Sequence, residues 1–164
     1  MSSTTSKPIP RIQTAIALAR FVLIAATVSL LFGVPPQAIA IDSPAYVVMN
    51  DHGGDVETRI KEIKFVANHY SRIEIKGGVC LSSCTMFLGL PQTCINPKTK
   101  FGFHGPTDSG RPLTNERFDY WSAQIAAHYP ANLERWYMSK ARYLLKGYYC
   151  LTGAQLIKMG VRRC

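Results

Sequence analysis

Residues 79–90 read VCLSSCTMFLGL and join a short β-prone stretch to an apolar helix through a pair of serines. Ser82 or Ser83 is suited to cap this helix, because serine is a favoured residue at helix N-termini. The helix is apolar on all sides, so we expect it to be buried, and Pro91 ends it. The fold is therefore expected to form around this strand-to-helix junction.

The chain before the junction alternates between strand-like and helix-like patterns. Residues 45–50 (AYVVMN) form the short apolar run of a buried strand. After Gly53-Gly54, Asp55 can cap a helix with apolar residues at spacings of three and four. Residues 72–76 (RIEIK) alternate like a half-exposed strand. Strands that alternate with helices favour an α/β fold with a parallel sheet and helical cover.

Beyond the junction, strands are expected at residues 93–95 and 101–104. Thr114 can cap a helix, Pro130 interrupts it, and a second helix is expected over about 132–145. A last short helix is predicted from Leu151-Thr152 onward. The second half of the domain is thus expected to be mostly helical.

Residues 1–40 have basic but no acidic side chains, and residues 21–34 (FVLIAATVSLLFGV) are uniformly small or apolar. This run is shorter than the roughly 20 residues of a membrane-spanning helix, but it suits the core of a secretory signal peptide. Ala38-Ile39-Ala40 supplies small residues for cleavage. We expect a signal peptide over 1–40, with an uncleaved membrane anchor as the alternative. A single folded domain is expected over 41–164 in the periplasm or outside the cell.

The chain of 164 residues has a net charge of +9, from 19 Lys and Arg against 10 Asp and Glu. Residues 41–164 hold all ten acidic residues and all but three of the basic ones, so the net charge there is +6. These charges are scattered, without the basic stripe that nucleic-acid binding needs. We expect no nucleic-acid partner, and no membrane contact after signal cleavage. A hydrophobic content of 47% excludes a disordered tail.

All five cysteines follow the predicted signal peptide, at positions Cys80, Cys84, Cys94, Cys150 and Cys164. In an exported protein, disulfides are the expected state, and an odd count leaves one thiol free or paired between chains. Their spacing lacks the two-by-two pattern of a zinc site, so neither a metal nor another cofactor is expected. Fifteen pairings are possible with one free thiol, and Cys150 with Cys164, which flank a short predicted helix, is one candidate.

Three chemically suggestive segments each follow a predicted strand. Gly53-Gly54 lets the backbone approach a ligand beside a helix N-terminus. Ser82-Ser83 places a hydroxyl at the positive end of a helix dipole, and His104 ends an apolar strand, where it could serve as a base. Each segment alone also fits an ordinary turn, cap or structural histidine. In a parallel sheet such strand ends gather along one edge, so we expect the three to meet.

The order and spacing of these segments resemble the Clp protease proteolytic subunit and its relatives in the crotonase-like superfamily. The matching stretches are VVMNDHGGDVETRI, VCLSSCTMFLGL and NPKTKFGFHGP, with a weaker match at LTGAQLIKMGV. The chain is most similar to a secreted periplasmic branch with a Cys-x-Ser-x-Cys motif. The resemblance implies a crotonase-like fold of ββα units. The family's first unit would be missing here, because the signal segment runs almost directly into the strand at Ala45.

The resemblance also implies the roles of individual residues. Ser82 would be the nucleophile, with Ser83 one step away as the alternative, and His104 would be the general base. The backbone N–H groups of Gly54 and Ser83 would form the oxyanion hole. Where the family carries its third triad residue, this chain has Leu144, Leu145 and Lys146. Substitutes for that acid would be Asp108 or Asp119, and Lys100 or Lys140 could act as an alternative base.

The favoured function is that of a periplasmic serine hydrolase, specifically a peptidase acting on a peptide or protein substrate. The main alternative is a binding or scaffold protein that kept the Clp-protease-like fold and lost catalysis, since fold does not imply function. A thiol-based activity at Cys84 and an acyl-CoA enzyme are further alternatives. Related proteins form rings or trimers, so a homo-oligomer is expected.

Overall fold

The computed structural model describes residues 44–164, and the signal peptide predicted over 1–40 lies outside this range. The strands are β1 (Tyr46–Val48), β2 (Ile73–Ile75), β3 (Val79–Leu81), β4 (Thr93–Ile95), β5 (Lys100–Phe103) and β6 (Tyr149–Thr152). The α-helices are α1 (Val56–His69), α2 (Asn115–Ala126), α3 (Ala131–Ser139) and α4 (Gly153–Lys158). Two 3-10 helices span Ser82–Gly89 and Ala141–Tyr143. The predicted mixed α/β class is confirmed.

The strands form two small sheets. In the first, β1, β2 and β4 are all parallel, with Tyr46 opposite Ile73 and Ile73 opposite Thr93. In the second, β5 lies between β3, to which it is parallel, and β6, to which it is antiparallel. A bridge between Asp51 and Cys80 continues the line of β1 alongside β3. The parallel strand ends therefore bring the segments after β1, β3 and β5 close together.

Helix α1 forms as the sequence predicts. The Asp55 carboxylate accepts a hydrogen bond from the Thr58 N–H at 2.8 Å, which satisfies one of the free donors at the helix N-terminus. Ile63 and Val66 are buried in the core. The Arg59 guanidinium lies 5.0 Å from the centre of the Phe87 ring, so a cation–π contact joins α1 to the apolar 3-10 helix.

Three local predictions are wrong. The residue that caps the Ser82–Gly89 helix is Leu81, without a side-chain hydrogen bond, so neither serine serves as its cap. The helix expected over 132–145 ends at Ser139, where Lys140 leaves helical geometry. The helix expected from Leu151 begins two residues later, because Tyr149–Thr152 pairs as β6, and Thr152 with Gln155 then forms a capping box.

The cysteine pairing also differs from the candidate pair. Cys80 is bonded to Cys84 and Cys94 to Cys164, which leaves Cys150 as an exposed free thiol. Cys150 lies on β6, whereas the chain end runs beside β4, so Cys164 reaches Cys94 instead. The two disulfides confirm the prediction that the cysteines pair and leave one thiol free. They indicate an oxidising environment. None of the helices within residues 44–164 has the length and apolar character that crossing a bilayer requires.

Replacing both Cys94 and Cys164 with alanine is expected to lower the free energy of unfolding. Their disulfide spans a sequence separation of 70, and closing a loop of that length in the unfolded chain is worth about 4 kcal/mol in the chain-entropy model. Chemical denaturation monitored by circular dichroism measures the change. The Cys150→Ala variant is the control and should unfold like the wild type. Equal stability of the double variant and the control would contradict this role of the disulfide.

Candidate active site

Ser82 lies where β3 passes into the 3-10 helix, and its backbone has an unusual conformation. Its φ of 54° is in the left-handed region, which costs an L-residue about 1 kcal/mol or more. The neighbouring Leu81 is extended, so the chain turns sharply at Ser82. Ser82 is itself the first residue of the 3-10 helix, and its hydroxyl contacts His104 instead of capping the helix.

Covalent and polar contacts hold this turn. The Cys80–Cys84 disulfide brackets Ser82, and both cysteines are fully buried. The Thr85 hydroxyl donates to the Ser82 carbonyl oxygen at 2.7 Å and lies 2.6 Å from the Tyr129 hydroxyl. The backbone around Ser82 is therefore constrained on both sides and from the following helical turn.

Gly53 packs directly against the turn. It has a φ of 87°, and a Cβ built on it would lie 2.5 Å from Ser82 Cβ and 2.7 Å from the Leu81 carbonyl oxygen. The Asp51 carboxylate accepts the Gly53 N–H at 2.8 Å. That carboxylate also pairs with Arg59 at 2.7 Å. Only glycine allows this approach of the two chain segments.

The Gly53→Ala variant is expected to displace Ser82 and destabilise the fold. Gly160→Ala is a matched control, because Gly160 also has a positive φ of 103° but has open space around its Cβ position. Both variants carry the backbone strain of about 1 kcal/mol, and only Gly53→Ala adds the steric clash. Thermal unfolding should therefore show a clearly larger loss for Gly53→Ala. Equal losses in the two variants would show that the close packing is unimportant.

His104 follows β5 and contacts Ser82. Its Nε2 atom lies 2.7 Å from Ser82 Oγ, and its Nδ1 atom lies 2.7 Å from the Gly105 carbonyl oxygen. A carbonyl oxygen only accepts hydrogen bonds, so Nδ1 must carry the proton. In the neutral ring Nε2 is then an acceptor, and the Ser82 hydroxyl donates to it. The predicted meeting of the serine and histidine segments is thus observed in the geometry.

Burial lowers the pKa of His104 below its ordinary value of 6.5, because desolvation disfavours the charged imidazolium. The hydrogen bond with the Gly105 carbonyl opposes this effect and raises the pKa in part. Since folding lowers the pKa, the folded protein binds fewer protons than the unfolded chain as the pH falls below 6.5. Acidification therefore lowers the free energy of unfolding as His104 becomes protonated. At pH 7 the His104 ring is neutral.

The imidazole of His104 is expected to titrate with a midpoint below 6.5. The measurement is a pH series of carbon and proton chemical shifts of the histidine rings, with the His104→Gln variant used to assign the resonance. A midpoint at or above 6.5 would mean that the hydrogen bond with Gly105 outweighs the burial of the ring.

A cavity of about 490 Å³ opens in front of Ser82 and His104. Gly54 and Ser83 both line it, and because Gly54 has no side chain, its backbone forms that part of the wall. The Ser83 hydroxyl oxygen is buried and has no hydrogen-bond partner among the described residues. The structure therefore brings Ser82, rather than Ser83, to His104.

None of the other candidate catalytic groups is hydrogen-bonded to this pair among residues 44–164. Asp108 pairs with Arg111 at 3.2 Å, and Asp119 pairs with Arg142. Lys140 lies over the Tyr149 ring and Lys100 is exposed on β5. The sulfur of Cys84 is held in the disulfide, so the thiol-based alternative is wrong for this oxidised state.

No sequence pattern predicted the group that orients His104. That group is the Gly105 carbonyl, and it follows the histidine directly. The Gly105 N–H donates to the Leu144 carbonyl at 2.9 Å. A Cβ on Gly105 would overlap the backbone carbonyl of Arg142, so the peptide is clamped against the segment after α3. Backbone carbonyls are present at every residue, and side-chain patterns therefore cannot reveal such a partner.

Among the described residues, no three His, Cys, Asp or Glu side chains come close enough together to hold a metal ion. The chain matches no protein-family model, no curated protein and no solved structure.

Proposed function

We propose that the protein is a serine hydrolase, and specifically a peptidase, that works in the periplasm or outside the cell. The observation that carries the proposal is the 2.7 Å hydrogen bond between Ser82 Oγ and His104 Nε2 at the edge of an open cavity. A nucleophile within hydrogen-bond reach of a base, with the base oriented by a third group, is the arrangement that covalent catalysis requires.

In the proposed reaction, Ser82 Oγ attacks the carbonyl carbon of the substrate while Nε2 of His104 takes the hydroxyl proton. The resulting tetrahedral intermediate collapses as the imidazolium gives that proton to the leaving amine, and an acyl-serine remains. Water then attacks the ester with His104 again as the base, which releases the acid and restores the hydroxyl. No cofactor is needed for either half of this cycle.

The N–H groups of Gly54 and Ser83 are the proposed oxyanion hole. Both residues line the cavity next to the Ser82 hydroxyl, and Ser83 lies at the start of the 3-10 helix. Two backbone donors there would bind the negative charge that develops on the substrate carbonyl oxygen. The ion pair between Asp51 and Arg59 supports this arrangement, because it fixes the backbone that carries Gly53.

The Gly105 carbonyl is proposed to replace the acid of the usual triad. It fixes the tautomer and the ring orientation of His104, which are two of the roles of a triad aspartate. A neutral carbonyl stabilises the imidazolium less than a carboxylate would, so catalysis is expected to be slower than in a complete triad. The same feature favours the second candidate function, a binding or scaffold protein that has lost catalysis. Self-association and the Clp-protease-like fold remain expectations.

A fluorophosphonate probe tests the proposal, because it reacts only with an activated serine. The wild type is expected to be labelled, Ser82→Ala is expected to lose all labelling, and Ser83→Ala is the matched control that keeps it. Replacing His104 with alanine should slow labelling by about 10²-fold or more, the usual contribution of a general base.

An unlabelled wild type would overturn the hydrolase proposal and leave the binding function. Equal labelling of Ser82→Ala and the wild type would place any reactive group elsewhere. Mass spectrometry of the labelled peptide distinguishes these outcomes.

A further inference from the structure

One face of α2 forms a wall of the cavity. Arg117, Trp121 and Ile125 all line it, and their spacing of four residues places them on the same side of the helix. A rise of 1.5 Å per residue separates Arg117 from Ile125 by about 12 Å along the helix axis. The wall therefore has an apolar end and a cationic end.

The apolar end is the one near Ser82. Ile125 is only 7% exposed, and Tyr129, one turn further along the chain, also lines the cavity. The Tyr129 hydroxyl contacts Thr85, which holds the Ser82 carbonyl. Arg117, in the first turn of α2, consequently lies at the end of the wall away from the nucleophile.

Arg117 has no carboxylate within ion-pair distance among residues 44–164, unlike Arg59, Arg72, Arg111 and Arg142, which all have one. The two carboxylates that line the cavity are already engaged within the protein. Asp55 accepts from the Thr58 N–H, and Asp108 pairs with Arg111. Among the described residues, the Arg117 guanidinium thus lines the cavity without an ion-paired carboxylate.

We propose that this wall selects peptides with an apolar residue at the cleaved bond and a carboxylate on the Arg117 side. An extended chain advances about 3.3 Å per residue, so 12 Å corresponds to a carboxylate three or four residues from the apolar residue. A guanidinium binds a carboxylate through charge-assisted hydrogen bonds. This proposal rests on the proposed attack by Ser82, and it is designed to be tested separately from catalysis.

Binding to the Ser82→Ala protein is the test, because no hydrolysis is then needed. Each fluorescent peptide is amidated at the C-terminus and has one apolar residue. Glu, or Gln in the partner peptide, occupies one position that is three or four residues before or after the apolar residue. Fluorescence anisotropy is expected to give about 1.5- to fivefold tighter binding for one Glu peptide than for its Gln partner, the range of a solvent-exposed ion pair. The preference should shrink as the salt concentration rises.

The Arg117→Gln change, added to Ser82→Ala, is expected to abolish this preference, and Arg117→Glu should favour Lys over Gln at the same position. The matched control is Arg135→Gln, since Arg135 is exposed on α3 outside the cavity and contacts Asn132. That control should keep the preference. A peptide with a free C-terminal carboxylate at the same distance, compared with its amide, shows whether a chain end replaces the acidic side chain.

The two proposals fail in different ways. If the wild type is not labelled by the fluorophosphonate but the Glu preference depends on Arg117, catalysis is disproved. The Arg117 subsite for an acidic peptide residue is then still supported. Equal affinity for every Glu and Gln pair, or a preference that survives in Arg117→Gln, would overturn the subsite even in an active hydrolase. The subsite proposal would also be overturned if none of the peptides binds.

Discussion

The left-handed backbone conformation of Ser82 sets the geometry of the candidate active site. A normal helical start would turn this hydroxyl toward the helix N–H groups, where serine serves as a cap. The strained turn instead exposes the hydroxyl to His104. A buried disulfide, a threonine hydrogen bond and the close packing of Gly53 together hold the turn. Such over-determined strain is typical of functional positions.

His104 depends on a second constraint, which is the clamped peptide of Gly105. The carbonyl of this residue sets the tautomer, and burial keeps the ring neutral, so the unprotonated nitrogen faces the serine. The topology brings Ser82 and His104 together. Strands β3 and β5 are parallel neighbours, and their carboxyl ends therefore deliver Ser82 and His104 to the same place. A small parallel pair is thus sufficient to assemble the contact.

The sequence predicted the parts of the fold that depend on local patterns. The strand at Thr93–Ile95 and the helix capped by Asp55 were both expected, because apolar periodicity and capping act within a few residues. Features set by distant contacts were missed. Strand β6 needs β5 as its partner, and Cys164 finds Cys94 only because the chain end runs beside β4. The Gly105 carbonyl was missed for a different reason, because every residue has a backbone carbonyl and no side-chain pattern marks this one.

A neutral His104 donates a hydrogen bond from Nδ1 to the Gly105 carbonyl and accepts one from the Ser82 hydroxyl at Nε2. Long-range correlation of ring protons with nitrogen-15 distinguishes the two neutral tautomers directly, because protonated and unprotonated ring nitrogens have very different shifts. We expect a protonated Nδ1 and an unprotonated Nε2 at pH 7 in the oxidised protein. A ring with its proton on Nε2 would contradict it, since the serine hydroxyl would then face a donor.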